Sequence, residues 1–248
     1  MLIILSPAKS LDFASKYHHP SPTQPYFASD TKKLINDLKK FSPQDLADLM
    51  ELSQNLAQLN YERFQNFTSN PQAPAILAFN GDVYEGLAKE VYGPKEFNYA
   101  QNNVLILSGL YGVLRPLDLI KPHRLEMGTN FNQYNFFVKN LYEFWQKKVT
   151  TKINEYRHEI LINLASNEYF KAIDPKLINK KIINIFFQEK KSAKYTTIAI
   201  NSKKARGLMT NFAIMHHLDS PNDLKKFSQE NYKFNATLSN DNNWYFTR

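Results

Sequence analysis

Cysteine is absent from the 248-residue chain. That excludes disulfides, thiolate catalysis and cysteine-ligated zinc or iron–sulfur centres, and it fits a reducing cytosol. No apolar run approaches the roughly 20 residues needed to span a bilayer. The apolar start, Met1 to Leu5, is cut off by Pro7 and Lys9, too early for the hydrophobic core of a signal peptide. These absences predict a soluble cytoplasmic protein. The sequence also holds no Walker A pattern, no G-x-G-x-x-G, no G-x-S-x-G and no H-E-x-x-H, so the named nucleotide-hydrolase, serine-hydrolase and zincin routes lose support. Its adjacent histidine pairs, His18-His19 and His216-His217, are poorly spaced for one ion, because neighbouring side chains rarely face the same point. No metal site and no cofactor are expected.

What is present is hydrophobic content of 43%, enough for a real core, and a net charge of +8. The charge is localised. Lys171 to Arg206 carries ten Lys or Arg against Asp174 and Glu189, so this segment equals the whole excess. Such a patch is either the footprint of a polyanion or an ordinary solvated surface.

Short apolar runs recur, each followed by a polar turn. Leu2–Leu5 leads into Ser6–Ser10, Ala75–Phe79 into Asn80–Tyr84, and Val104–Leu107 into Ser108–Gly112. Ile160–Leu164 leads into Ala165–Tyr169, and Tyr195–Ile200 into Asn201–Lys204. Being brief, apolar and bounded by turn formers, these read as buried strands. A sixth run, Ile182–Phe187, is expected to pair antiparallel with the fifth, and Trp244–Phe246 to form an edge strand. Helical spacing covers Asp30–Lys40, a segment from the Ser42-Pro43 cap through Ala57, Leu59–Phe67, Phe136–Tyr156 and Ser202–Leu218. His18–Gln24 is expected as a surface loop and Phe227–Asn243 as an irregular tail. Strands alternating with helices give an α/β fold, a single unit with a mixed β-sheet flanked by helices. In such sheets the turns beyond the carboxyl ends of parallel strands face one crevice, where ligands bind. The five turns are therefore expected to converge on one site.

Two clusters stand out. Ser202 is placed as the cap of a helix whose first turns hold Lys203, Lys204 and Arg206. Positive charge there is disfavoured by roughly 0.3–1 kcal/mol each, so a bound phosphate or carboxylate would explain it; side chains turned away or paired with acids would explain it too. The second cluster is Asp82, Tyr84, Arg115, Asp118, Arg124 and Glu126. Arg115–Asp118 and Arg124–Glu126 are either bidentate structural clamps or an acid/base set beside an anion-binding arginine. Lys9 and Lys204 qualify as catalytic only if burial lowers their pKa.

The blocks MLIILSPAKSLDF, AILAFNGDVYEGL, LSGLYGVLRPLDLIKPHRLEMG, INLASNEYF and KKARGLM, running in order from Met1 to about Tyr232, resemble the YaaA family of bacterial peroxide-stress resistance proteins. The resemblance implies one domain over residues 1–248 with an unusual fold and a positively charged cleft. It also implies a helix-hairpin-helix-like element, which maps to Ser42–Phe67 with its turn near Ala57–Asn60. The implied partner is double-stranded DNA, distorted or bulged duplexes included. The implied role is protection against hydrogen peroxide, tied to limiting intracellular iron and DNA damage. No defined reaction comes with it. The family blocks fall on Ser6, Lys9, Asp82, Tyr84, Ser108, Tyr111, Arg115, Asp118, Arg124, Glu126, Asn163, Ser166, Glu168, Tyr169, Lys203, Lys204 and Arg206. Two departures are Asn80, where Lys is usual, and His123, where Tyr is usual.

Two functional readings follow. In the first, cleft cations grip DNA phosphates, with Tyr84, Tyr111 or Tyr169 stacking on an unpaired base. In the second, Lys9, Asp82, Asp118 and Glu126 are catalytic candidates in a hydrolase or transferase acting on a nucleotide or damaged nucleobase. A binder needs cations, not carboxylates in the same crevice. Iron sequestration is a third, weaker possibility. The oligomeric state is left open.

Overall fold

The structure is a computed structural model that describes residues 1–15, 20–192 and 194–248. In chain order it places β1 (Leu2–Leu5), β2 (Ser10–Leu11), α1 (Ala28–Leu38), α2 (Pro43–Met50), α3 (Gln54–Gln65), β3 (Ala73–Pro74), α4 (Ala75–Ala78), β4 (Phe79–Asn80) and α5 (Asp82–Glu85). Then come α6 (Pro94–Asn103), β5 (Val104–Ser108), β6 (Gly112–Leu114), β7 (Leu119–Ile120), α7 (Leu141–Asn154), β8 (Ile160–Asn163) and α8 (Asn167–Phe170). The last elements are β9 (Lys181–Lys191), β10 (Lys194–Thr196), α9 (Ala199–Met215), β11 (Lys233–Phe234) and β12 (Asn243–Thr247). The fold is α/β with a mixed main sheet, as expected.

The sheet runs β11-β12-β9-β8-β1-β5-β6, with β10 folded back on β9. Five strands are parallel, β12, β9, β8, β1 and β5, and β6 and β11 close the sheet antiparallel. At its centre Ile3 pairs with Val104 on one side and Ile162 on the other. Both faces of β1 are covered, so its residues are all apolar and wholly buried, as a parallel strand requires. The polar turns after β1, β5 and β8 consequently lie at one end of the sheet.

Several expected elements are placed differently. Ala75–Phe79 adds no strand to the main sheet. Ala75–Ala78 forms one helical turn, with the Ala75 and Ile76 N–H groups donating to Asp118 O (2.9 Å) and Pro116 O (3.0 Å), and Phe79 pairs with Leu11 in a separate two-stranded sheet. Only Tyr195–Thr196 of the fifth run is strand, as part of β10, and residues 195–200 are exposed, so there was no core to hold the rest extended. Antiparallel pairing between β9 and β10 joins Glu189–Lys191 to Lys194–Thr196, while the earlier part of β9 pairs parallel with β8 and β12. Trp244–Phe246 lies inside the sheet, because β11 covers its outer edge. The tail that contains β11 also holds a 3₁₀ turn at Gln229–Asn231.

Helix limits moved where capping outcompeted periodicity. Ser42 and Asp45 form a reciprocal capping box and start α2, but that helix stops at Met50, with Glu51 in the left-handed region (φ 51°) and Ser53 capping α3. The turn of this helix pair is thus Glu51–Ser53 rather than Ala57–Asn60. Phe136 and Phe137 precede α7. Phe136 stacks on Phe131 with 3.9 Å between ring centroids, and the Asn140 side chain accepts from the Glu143 N–H (2.9 Å) to begin the helix. His18 and His19 lie outside the described residues.

Candidate functional site

A cavity of about 420 Å³ opens at the carboxyl end of the parallel strands. Residues from all five expected stretches reach it: Ser6 to Ser10 after β1, Asn80 to Val83 around α5, Ser108 at the end of β5, Ser166, Glu168 and Tyr169 around α8, and Lys203, which lies inside α9 rather than in a turn, with Arg206 one turn on. Residues His123 to Glu126 complete the wall.

Close backbone approaches build it. A Cβ on Gly207 would stand 1.8 Å from Val83 O, and one on Gly86 would stand 2.6 Å from Leu208 N, so α9 packs directly against α5. That contact brings Lys203 to within 3.5 Å of Asp82. A Cβ on Gly109 would lie 2.3 Å from Leu125 O, so only glycine lets the turn after β5 nest against the Arg124–Glu126 segment. The buried Trp145 indole N–H donates to Gly109 O (2.8 Å) and fixes that turn from below. Ser6 Oγ accepts from the Ser166 N–H (2.8 Å), joining the turns after β1 and β8.

The wall charges are mixed. Glu126 takes Lys9 on one oxygen (2.8 Å) and Arg124 on the other (3.0 Å). Glu168 accepts from the Gly128 N–H (3.1 Å). Arg206 is set apart: its Nε is buried without a hydrogen-bond partner, and its guanidinium has no ion-pair partner among the described residues. Burial lowers its pKa. The Nε of Arg124 is likewise buried and unpartnered. Burial, then the charges of Glu168 and Glu126, push the Tyr169 phenol above its ordinary range. Burial lowers His123 to about 4, so its ring is neutral at pH 7.

Of the residues singled out from sequence, the cavity gathers Ser6, Lys9, Asp82, Ser108, Arg124, Glu126, Ser166, Glu168, Tyr169, Lys203 and Arg206. The others stand behind or away from it. Tyr84 is buried beneath, its hydroxyl donating to Ser6 O (3.0 Å). Tyr111 accepts from the Lys121 N–H (3.0 Å) and packs edge-on against His123. Asp118 is fully buried and clamped by Arg115 through Nε (3.1 Å) and Nη2 (2.7 Å), with Thr23 donating at 2.6 Å. Asn163 bridges Asn184 and the Ala165 N–H, and Lys204 turns outward to Glu230 (2.9 Å).

The helix-start anion site is not formed. α9 begins at Ala199, one turn early, and the Ser202 N–H is already bonded to Ile198 O (2.8 Å). Ser202 is therefore interior and caps nothing. Sequence reasoning left out Pro7, Ala8, Phe79, Val83 and Leu125, apolar lining that carries no chemical signature, and noted Asn80 and His123 only as departures. Among the described residues no group of three His, Asp or Glu is arranged to hold a metal. His217 Nε2 lies 3.4 Å from Glu96 while His216 packs on Phe212, so this adjacent pair has diverged.

With this geometry, comparison with known proteins gives a family model described as peroxide stress protein YaaA, matching residues 1–238. The chain belongs to the YaaA family. Relatives include UPF0246 proteins of Burkholderia mallei strain SAVP1 and Burkholderia cenocepacia strain HI2424, each 45% identical over 258 residues. A third, from Burkholderia pseudomallei strain 668, is 44% identical. Each alignment covers 100% of this chain and 98% of the relative. The family description is consistent with a role in peroxide stress. No helix among the described residues is long and apolar enough to cross a membrane.

Proposed function

We propose that this YaaA-family chain protects DNA during peroxide stress by binding duplex DNA, with the cavity handling a single nucleotide. The observation that carries the reading is the run of exposed cations Lys190, Lys191 and Lys194 on the β9–β10 hairpin, continued by exposed Lys203 at the cavity. Such a row tracks a phosphate backbone and releases counterions when bound. Exposed Tyr195 lies among them, a face on which a base can stack. The α2–α3 pair, counterpart of the helix-hairpin-helix-like element, is a poor phosphate contact. It carries Asp45, Asp48, Glu51 and Glu62 against Arg63 alone, so the hairpin is the proposed grip.

Fluorescence anisotropy with a labelled duplex across a salt series tests this. Affinity should fall steeply with salt. The triple variant Lys190→Gln, Lys191→Gln, Lys194→Gln should flatten the log–log slope by about 2–3. A salt-independent isotherm, or full affinity in the triple variant, would sink the reading.

A second reading, an enzyme acting on the nucleotide, is favoured by one specific feature. Lys9, Arg124 and Lys203 are each paired with a carboxylate, more acid/base apparatus than phosphate gripping requires. Here Asp82→Asn should keep fold and DNA affinity and lose protection in a peroxide survival assay. Normal protection by every carboxylate variant would exclude it. The link to intracellular iron is placed downstream of DNA in this proposal.

A further inference from the structure

The cavity holds four cationic side chains and three carboxylates, and most of them are spent on each other. Lys9 and Arg124 share Glu126, and Lys203 faces Asp82. Two charges are left over. The Arg206 guanidinium has no acidic partner among the described residues, with its Nε sealed from solvent and unbonded. Glu168 has no cationic partner among them and accepts one backbone hydrogen bond. A half-buried guanidinium without an anion is a ready site for an anion that a ligand supplies. Between the charged groups the lining is apolar, from Phe79, Val83 and Leu125. At about 420 Å³ the space is well above what a free phosphate fills and lies within the range of small-molecule sites.

We propose that the cavity binds a free, nucleotide-sized small molecule, with its oxyanion on the Arg206 guanidinium and an amino-bearing ring whose N–H group donates to Glu168. The proposal deepens the single-nucleotide part of the preceding reading and does not need DNA to be bound. The oxyanion chemistry is shared by phosphate and carboxylate, and the probes separate them. Phosphate is favoured by its several acceptor oxygens, which suit the planar donor fork of a guanidinium.

The test is calorimetric titration of the full chain with inorganic phosphate, acetate, deoxyadenosine, and the 5′-monophosphates of deoxyadenosine and deoxythymidine. Expected are binding of the amino-bearing monophosphate over the thymidine one, weak binding of phosphate alone, and weaker binding still of acetate and of the nucleoside. Arg206→Met, which keeps the apolar stem, should lose phosphate binding and weaken the deoxyadenosine monophosphate about tenfold or more. Glu168→Leu, which removes the acceptor, should erase the preference for the amino base while phosphate still binds. Thermal melts of both variants report folding, and phosphate should raise the melting temperature of the parent protein but not of Arg206→Met. Unchanged affinity in folded Arg206→Met overturns the proposal, as does failure of every phosphate probe to bind at millimolar concentration. Acetate binding as well as phosphate overturns the phosphate assignment. If the monophosphate binds while duplex DNA does not, the DNA reading falls and this inference stands. Loss of DNA affinity in the hairpin-lysine variant with the monophosphate still bound separates the two sites directly.

Discussion

His123 and Asp118 show how single residues take their roles from burial. The neutral His123 ring is 6% exposed, and its Nδ1 lies 2.7 Å from Lys121 O, a geometry in which Nδ1–H donates to the carbonyl. Folded, it titrates near 4, against 6.5 ordinarily. Between those values the unfolded chain holds more protons, so stability climbs with rising pH through that window and is lost on acidification. The loss reaches about 3 kcal/mol by pH 4. His158, lowered by partial burial, adds the same sign. Urea midpoints measured from pH 7 to 4 should show this slope, and His123→Asn should remove most of it. An unchanged slope in that variant would assign the acid sensitivity elsewhere. Asp118 carries a different expectation. Removing it in Asp118→Ala strands a partly buried guanidinium and should cost about 3–5 kcal/mol in urea unfolding. The sequence named the Arg115–Asp118 pair but left clamp and acid/base roles equal, since side-chain direction is not encoded in spacing. Burial places Asp118 in the clamp, away from the cavity.

Among elements, the α5–α9 crossing carries the most consequence. Its closeness rests on Gly86 and Gly207, where a methyl group would overlap backbone. Gly207→Ala must push α9 off α5, moving Lys203 and Arg206 from the cavity wall. We expect a loss of at least about 1–3 kcal/mol from overpacking, with ligand and DNA binding falling together, read by urea melts and titration on the same samples. Full stability in Gly207→Ala would mean that α9 can shift freely. The other elements show where local signals were enough. Ser42-Pro43 with Asp45 announced α2 because capping is a contact within four residues. The starts of α9 and α7 were misread because competing choices there, an exposed Tyr195–Ile200 and an aromatic stack at Phe136, are decided by what lies opposite in space.

For the whole molecule, the central parallel strands and the β9–β10 hairpin sit at opposite ends of local stability. β1 is paired on both sides and buried on both faces, whereas Lys190–Ser192 and Lys194–Thr196 are exposed. Hydrogen exchange should therefore be slowest in β1, β5 and β8 and fastest in the hairpin. A hairpin as protected as β1 would show it to be covered, and the proposed DNA grip would lose its free surface. The same layout explains the function-bearing end of the sheet. Parallel strands β1, β5 and β8 point their carboxyl ends one way, and their polar ends and turns cannot be buried in the core, so they gather around a cavity that residues of α5 and α9 complete.

The sequence by itself determined the α/β class, the buried strands β1, β5 and β8, the polar turns after them and the family. Each is written in short-range pattern: apolar runs, turn formers and distinctive blocks. Tertiary structure alone decided which charges are spent and which are free. Glu126 absorbs two cations and Asp82 a third, while Arg206 keeps no partner among the described residues. Two of these pairings, Lys9–Glu126 and Lys203–Asp82, join residues more than a hundred positions apart. Their approach in space is set by glycine-mediated backbone contacts, which the spacing of residues along the chain does not reveal.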